Sequence, residues 1–377
     1  MNREPCPRSA SEGAYLAAIG VATPDFAVSQ QEAVDFLLQH YAGMLSARNL
    51  RLVKKIFAHP GINRRSLAMD GLQDLLGEDQ DSRIERFTRH AVALAVKAME
   101  NALAEASCRP EQVTALIVNT CTGYICPGLS TYLIEELGLS KRVQAFDLVG
   151  GGCGGAIPNL QLAEALLRVN SEAVVLSVCV EICTATFQMG DDLSLLVSNA
   201  IFGDGAAAVL VTSRPGAWRI IASANLTEPA FREEVRYVYK NGQLHNQLAG
   251  NLPELVNRYA SQVVAEVLQP RGLELNDIRF WALHPGGEKI ISAVKQGLQL
   301  TEQQLGPTRS VLSGYGNMSS PTVLFVLRET CRADAEPDDY CMMVAYGAGL
   351  SAHALLLQKT MFPGRSRGEQ SNNLKRS

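Results

Sequence analysis

Apolar residues recur along this chain with two alternating periods. Residues 87–106, FTRHAVALAVKAMENALAEA, carry Val92, Val96, Met99 and Leu103 at the spacing of one helical face. A polar connector, SCRPEQ, leads into VTALIVNTCTG, whose unbroken apolar run predicts a buried strand ending at residues 120–123. The same order returns later. Residues 254–268, ELVNRYASQVVAEVL, place Val256, Tyr259, Val263 and Val267 on one helical face, and QPRGLELND then leads into the strand IRFWALHPGG.

Each half also contains a glycine-rich element that opens a helix, GGGCGGAIPNLQLAEALL in the first and SGYGNMSSPTVLFVLRETC in the second. After that helix each half returns to an apolar strand, AVVLSVCVEICTATF and DYCMMVAYGAGLSAHALLLQ. This is an internal duplication visible as order of pattern rather than as identity. Alternating strands and helices in both copies predict an α/β architecture with sheets sandwiched by helices. Residues 14–218 and 219–358 form the two halves, flanked by polar ends at 1–13 and 359–377 that read as loosely ordered.

Composition narrows the function classes. With 47% hydrophobic and 19% charged residues the chain is an ordinary globular one, and a net charge of −4 supplies no basic face for nucleic acid. Neither a signal peptide nor a run of about 20 apolar residues is present, so a cytoplasmic protein without integral membrane association is expected. Nine cysteines, odd in number and without paired C-x-x-C spacing, predict reduced thiols and no metal site.

Three polar residues mark corresponding junctions of the two copies: Cys153 in GGCGG, His284 in ALHPGG and Asn317 in GYGNMSS. A thiol at a helix start gains from the unpaired amides and the macrodipole, and an adjacent imidazole would stabilise its thiolate. His284 and Asn317 can donate to a carbonyl oxygen, as required when a malonyl thioester loses carbon dioxide to leave an enolate. Taken singly, each has a bland explanation, since free cysteine is a common buried residue and asparagine after glycine a common helix cap. Their matching places in a repeat favour chemistry.

From about residue 14 to residue 357 the chain resembles the type III polyketide synthases, the chalcone synthase-like branch of the thiolase superfamily. The carrying motifs are GCGGA around Cys153, IFGDGAAAVLV at 201–211, ALHPGG around His284 and GYGNMSSPTVLFVL from Gly314. The resemblance implies a thiolase fold, an internally duplicated αβαβα layered sandwich, and a homodimer that uses acyl-CoA and malonyl-CoA with no further cofactor. It assigns Cys153 as nucleophile, His284 as thiolate partner and enolate stabiliser, and Asn317 as enolate stabiliser. Iterative condensation would end in cyclisation to a pyrone, resorcinol, phloroglucinol or chalcone-type product. The alternative is a single-round β-ketoacyl synthase using CoA or acyl carrier protein thioesters.

Further residues follow by the same match. Phe202 is the aromatic between substrate tunnel and pocket, and Asn246 stands where a second aromatic is expected, which makes the mouth more polar or open. Cys121, Thr122, Cys183, Ala185, Thr186 and Ser319 line the pocket, and Cys126 is the residue contributed across the dimer interface. Lys54 and Lys55 match the segment that binds the phosphates of CoA. AYGAG at 345–349 departs from the GFGPG loop of plant members, with Ala348 in place of the proline.

Overall fold

A computed structural model describes residues 13–240 and 242–361. The predicted polar ends therefore lie almost entirely outside the described residues. Nine strands form the main sheet: β1 (Tyr15–Ala22), β4 (Ala115–Thr120), β5 (Gln144–Val149), β6 (Val174–Ile182) and β7 (Asp204–Thr212) in the first half, and β8 (Trp218–Thr227), β11 (Ile278–Leu283), β12 (Tyr340–Gly347) and β13 (Ser351–Lys359) in the second. Their order is β11-β12-β13-β8-β1-β7-β6-β4-β5. Two small ribbons complete the strands, β2 (Ala27–Ser29) with β3 (Arg64–Ser66), and β9 (Val235–Lys240) with β10 (Gln243–Leu248).

The duplication is explicit in the pairing. Numbered in chain order the first half reads 3-2-4-5-1, and the second, given the numbers of its counterparts in the first, reads 2-4-5-1. Parallel pairing of β4 with β6 is matched by β11 with β12, and the hairpin-like antiparallel pair β6–β7 by β12–β13. The two halves join where Tyr15 and Leu16 meet Arg219 and Trp218. The apolar run at 340–358, read as one strand, is two antiparallel strands folded about residues 348–350. The second half has no counterpart of β5. Asn317 consequently follows a helix, α9 (Gly306–Tyr315), and not a strand as Cys153 does.

Helices form the remaining layers. Between the two sheet halves lie α5 (Ala156–Val169) and α10 (Pro321–Cys331), and one core unites Ile157, Leu160, Val209, Val323, Leu327 and Leu355. Every residue of α10 from Pro321 to Leu327 is buried, as expected for a helix whose sequence is apolar on all sides. The outer layers are α3 (Gln80–Glu105) with α4 (Leu129–Glu136) on one side and α7 (Leu252–Leu268) with α8 (Glu288–Gly297) on the other. A helical cap of α1 (Gln30–Tyr41), α2 (Ala47–Phe57) and α6 (Leu193–Ile201) has its own core around Phe36, Val53, Phe57 and Leu196. The result is the duplicated αβαβα sandwich implied by the sequence.

The buried face of α3 corrects the predicted one. Of the predicted residues Met99 and Leu103 are buried, while Val92 and Val96 are only partly covered and the face extends instead over Phe87, Ala91, Ala95, Ala98 and Ala102. The cause is close approach to β1: a side-chain carbon on Gly20 would stand 2.0 Å from the Ala98 carbonyl oxygen and 2.5 Å from the Ala102 nitrogen. Only alanine against glycine fits that gap. Among the described residues no helix is long and apolar enough to cross a membrane.

Candidate active site

Cys153 sits in a single tight turn, residues 152–154, between β5 and α5. Gly152 has a φ of 55°, and a side-chain carbon on it would meet the Ala348 backbone nitrogen at 3.0 Å. Gly347 is closer still, leaving 2.2 Å to the Gly151 carbonyl oxygen. The glycines thus let the nucleophile turn seat on the β12–β13 hairpin, against Ala348. His284 is the first residue beyond β11, anchored by its amide to the Val344 carbonyl at 2.9 Å. Its ring packs edge-on to Tyr346, centroids 5.3 Å apart, and Tyr346 in turn neighbours Cys153. Asn317 lies in the turn before α10, where Ser319 adopts a φ of 57°, a left-handed conformation that costs a non-glycine residue about 1–3 kcal/mol.

These elements bring Cys153 and Asn317 together, and Tyr346 connects His284 to Cys153. The side chains of Asn317 and Ser319 lie beside the Cys153 sulfur, where both favour its thiolate. Asn317 Oδ1 accepts from the Ser319 amide at 2.8 Å and from Thr322 Oγ1 at 3.4 Å, so Nδ2 is the group turned to the sulfur. His284 is fully buried, and neither ring nitrogen has a hydrogen-bond partner among the described residues. Orphaned nitrogens in a closed site are ready to receive a ligand atom.

The charge state corrects the sequence expectation. Cys153 is partly accessible as a residue, yet burial of its thiol pushes the pKa up to about 11, against smaller favourable effects of Ser319 and Asn317. Burial likewise pushes His284 down to about 3. Desolvation outweighs the field at the start of α5, and both groups are neutral in this arrangement. The ion pair expected from the sequence requires the imidazole to close on the sulfur.

A buried glutamate missed in the sequence organises the rest. Glu181, at the end of β6, is fully buried and accepts from the amides of Cys121 and Thr122 at 3.0 and 3.1 Å, Thr122 Oγ1 at 2.8 Å, Cys121 Sγ at 3.2 Å and Ser320 Oγ at 3.0 Å. It ties the end of β4 to the turn carrying Asn317. Its own pKa is raised, by burial. Thr122, expected as pocket wall, instead gives its hydroxyl to Glu181 and accepts from the Ile182 amide at 2.9 Å. Cys121 stays at the site, 3.5 Å from Ser319 Oγ.

Beyond these residues, Cys183, Thr186, Phe202 and Asn246 line one cavity of about 50 Å³, with Phe36 and Leu37 of the cap opposite. Asn246 is buried and donates from Nδ2 to Ser198 Oγ at 2.9 Å. Ala185 is half-buried against the outer core and does not line this cavity. Cys126 is exposed, in the loop before α4. Lys54 and Lys55 end α2, exposed and without an ion pair among the described residues. An open cleft of about 570 Å³ lies just past them, between His59, Gly61, Glu288 and Arg309. Neither lysine lines it.

Residues 18–227 match the family model of FAE1/type III polyketide synthase-like proteins, and residues 229–361 that of the C-terminal domain of chalcone and stilbene synthases. The chain is 28% identical over 357 residues to a 3,5-dihydroxyphenylacetyl-CoA synthase of Streptomyces toyocaensis, covering 91% of this chain and 89% of that one. It is 29% identical over 363 residues to the α-pyrone synthesis polyketide synthase-like Pks18 of Mycobacterium tuberculosis, covering 91% and 90%. Its fold is similar to the C-terminal type III polyketide synthase domain of Steely1, a type I/III hybrid from Dictyostelium, with a TM-score of 0.86 at 24% identity over 92% of this chain and 99% of that one.

Proposed function

The chain belongs to the FAE1/type III polyketide synthase-like family, and from that premise we propose that it extends an acyl-CoA starter with malonyl-CoA and cyclises the product. The observation that carries the residue roles is that Asn317 and Ser319 lie by the Cys153 sulfur while Tyr346, next to that sulfur, packs against the His284 imidazole, whose nitrogens have no partner among the described residues. In the first step the sulfur attacks the thioester carbon and CoA leaves as its thiol. His284 takes the Cys153 proton as the bond forms and passes it to the departing sulfur.

Malonyl-CoA then binds with its thioester oxygen between His284 and Asn317 Nδ2. A neutral imidazole still donates one N–H, so burial that keeps His284 uncharged suits this role. The bond to the carboxylate breaks, carbon dioxide leaves, and the electron pair moves onto the thioester oxygen as an enolate. The enolate carbon attacks the Cys153-bound acyl carbon and expels the thiolate, leaving the lengthened chain on CoA. Because the adjacent carbonyl accepts the electron pair, the step balances without a metal or nicotinamide.

Phe202 presents its ring at the cavity while Arg65 holds its carbonyl at 2.6 Å. The cleft at His59 and Glu288 provides the entry for CoA, with Lys54 and Lys55 as mobile charges for its phosphates. The names of the two relatives support a pyrone or resorcinol-type ring as product. The protein is proposed to work as a homodimer in the cytoplasm.

The test is incubation of purified protein with a panel of acyl-CoAs and labelled malonyl-CoA. Carbon dioxide release with a multiply extended, cyclised product is expected. A single extension with every starter would assign the chain to β-ketoacyl synthases, and no release with any starter would overturn both.

A further inference from the structure

Tyr237 is a polar side chain at the site that neither acyl transfer nor decarboxylation employs. It stands on β9 directly across from Asn246 on β10. Residues facing each other across an antiparallel pair project from the same side of the ribbon, so Tyr237 shares the side on which Asn246 meets the cavity. The residue is half-buried, and its phenol meets Thr186 of the cavity wall on the side of Cys121, Cys183 and Glu181. Ser319 touches both the Cys153 sulfur and Cys121, which puts the phenol one side chain removed from the nucleophile's own contacts.

The hydroxyl is poorly used by the protein. Its partner among the described residues is Thr186 Oγ1 at 3.5 Å, and the proton of Thr186 is already given to the Cys183 carbonyl at 2.8 Å. A well-formed O–H···O bond spans about 2.7–2.8 Å, and a buried donor without one costs about 1–3 kcal/mol. Burial, with Cys121 and Cys183 beside it, holds the phenol well above its usual pKa, so it keeps its proton. The site thus retains a neutral donor without an adequate acceptor. In the reading above, the acceptor arrives with the substrate: a poly-β-keto chain carries a ketone oxygen on every second carbon.

Building on that reading, we propose that Tyr237 is a specificity-determining residue whose hydroxyl donates to a ketone oxygen of the enzyme-bound polyketide, selecting which carbon is presented for ring closure. Loading and decarboxylation take place at Cys153, His284 and Asn317 and do not need the phenol. Ring closure does, because a chain with rotatable bonds reaches its cyclising fold only when its far end is held.

Tyr237→Phe removes the O–H and keeps the ring. Wild type and variant are compared with malonyl-CoA and whichever starter wild type turns over fastest, following carbon dioxide release and the mass and chromatographic identity of all products. Carbon dioxide release and the KM for malonyl-CoA should stay within about twofold, while the ratio of the principal ring product to other products of equal length falls about fivefold or more, the worth of one hydrogen bond. A ratio unchanged within about twofold overturns the proposal. If the phenylalanine variant does not fold, Tyr237→His, which keeps a donor, must exceed Tyr237→Leu in that ratio, and equality overturns it. Absence of carbon dioxide release in wild type removes the synthase reading, and this inference falls with it.

Discussion

The backbones of Phe202 and Asn317 are bridged across the two halves of the fold. The Gly203 amide donates to the Asn317 carbonyl at 3.0 Å and the Asn317 amide to the Ile201 carbonyl at 2.8 Å. Arg65 clamps the same segment, giving Nη1 to the carbonyls of Asn199 and Phe202 at 2.8 and 2.6 Å. The aromatic ring at the cavity and the amide at the sulfur therefore form one rigid unit, so a substitution at Asn317 that preserves its backbone changes only the donor.

Asn317→Asp is that substitution. It keeps the oxygen that accepts from Ser319 and Thr322 and removes the Nδ2 donor. Steady-state carbon dioxide release from malonyl-CoA should fall about 10²–10³-fold, the usual cost of one oxyanion donor. Single-turnover labelling of Cys153 by a radioactive acyl-CoA should persist. Equal loss in both assays would show that Asn317 serves loading, and the assignment would fail.

The proton distribution between Cys153 and His284 is read by alkylation. Burial alone pushes the thiol up to about 11, and an imidazole that closes on the sulfur counteracts it. Iodoacetamide modification of Cys153, followed by peptide mass, should show an apparent pKa in wild type below that of His284→Gln, where the rate should climb with pH toward 11. N-acetylcysteine added to the same mixture provides the reference thiol. Identical profiles in the two proteins would show that His284 does not assist ionisation.

The halves, their junction residues and the αβαβα class are legible in the sequence because hydrophobic period and glycine placement are local. The triad is legible for the same reason, each member marking the end of a strand or the start of a helix. What is hidden depends on contacts between distant segments. The missing strand of the second half leaves the periodic pattern around it intact. The alanine face of α3 is set by Gly20, some 80 residues away. Glu181 did leave a signal, a carboxylate inside the apolar run VVLSVCVEICT, where an unpaired charge would be costly. Tyr237 left none, since only the register of β9 with β10 sets it across from Asn246 of the cavity wall.

His353 links the nucleophile turn to acid stability. It is buried, with Nδ1 2.7 Å from Asn225 Oδ1, and its ring lies under Gly154, where a side-chain carbon would meet it at 3.0 Å. Burial pushes its pKa down to about 4, as it pushes His284 to about 3. Both are neutral when folded, whereas the unfolded chain binds these protons below about 6.5. Their contribution is therefore complete above that pH and is lost as pH falls toward the folded values, at up to about 1.4 kcal/mol per pH unit for each group. Urea unfolding of His353→Gln between pH 6.5 and 4.5 should show a shallower decline than wild type by about that slope. Parallel declines would show that His353 is protonated in the folded protein.

The outer edge of β5 predicts the assembly. Among the described residues β5 pairs only with β4, and its other edge ends at Val149, 63% exposed, with Tyr124 72% exposed and Cys126 also at the surface in the loop that leads to α4. The start of α4 is fastened to the strand, Ser130 giving its amide to Asp147 Oδ1 at 3.1 Å. An open strand edge beside exposed apolar side chains invites pairing with another chain, and a second copy offers the same edge in a twofold arrangement. In such an interface each substitution occurs twice and acts near its own image. Val149→Glu should therefore convert the dimer to monomer in sedimentation velocity at micromolar concentration. Val169→Glu, on an equally apolar and more exposed residue, lies before the start of β6 and so at the opposite end of these parallel strands, and should leave the assembly unchanged. A dimer that survives Val149→Glu, or a wild type that is monomeric, would place the contact elsewhere and remove the β5 edge from the assembly.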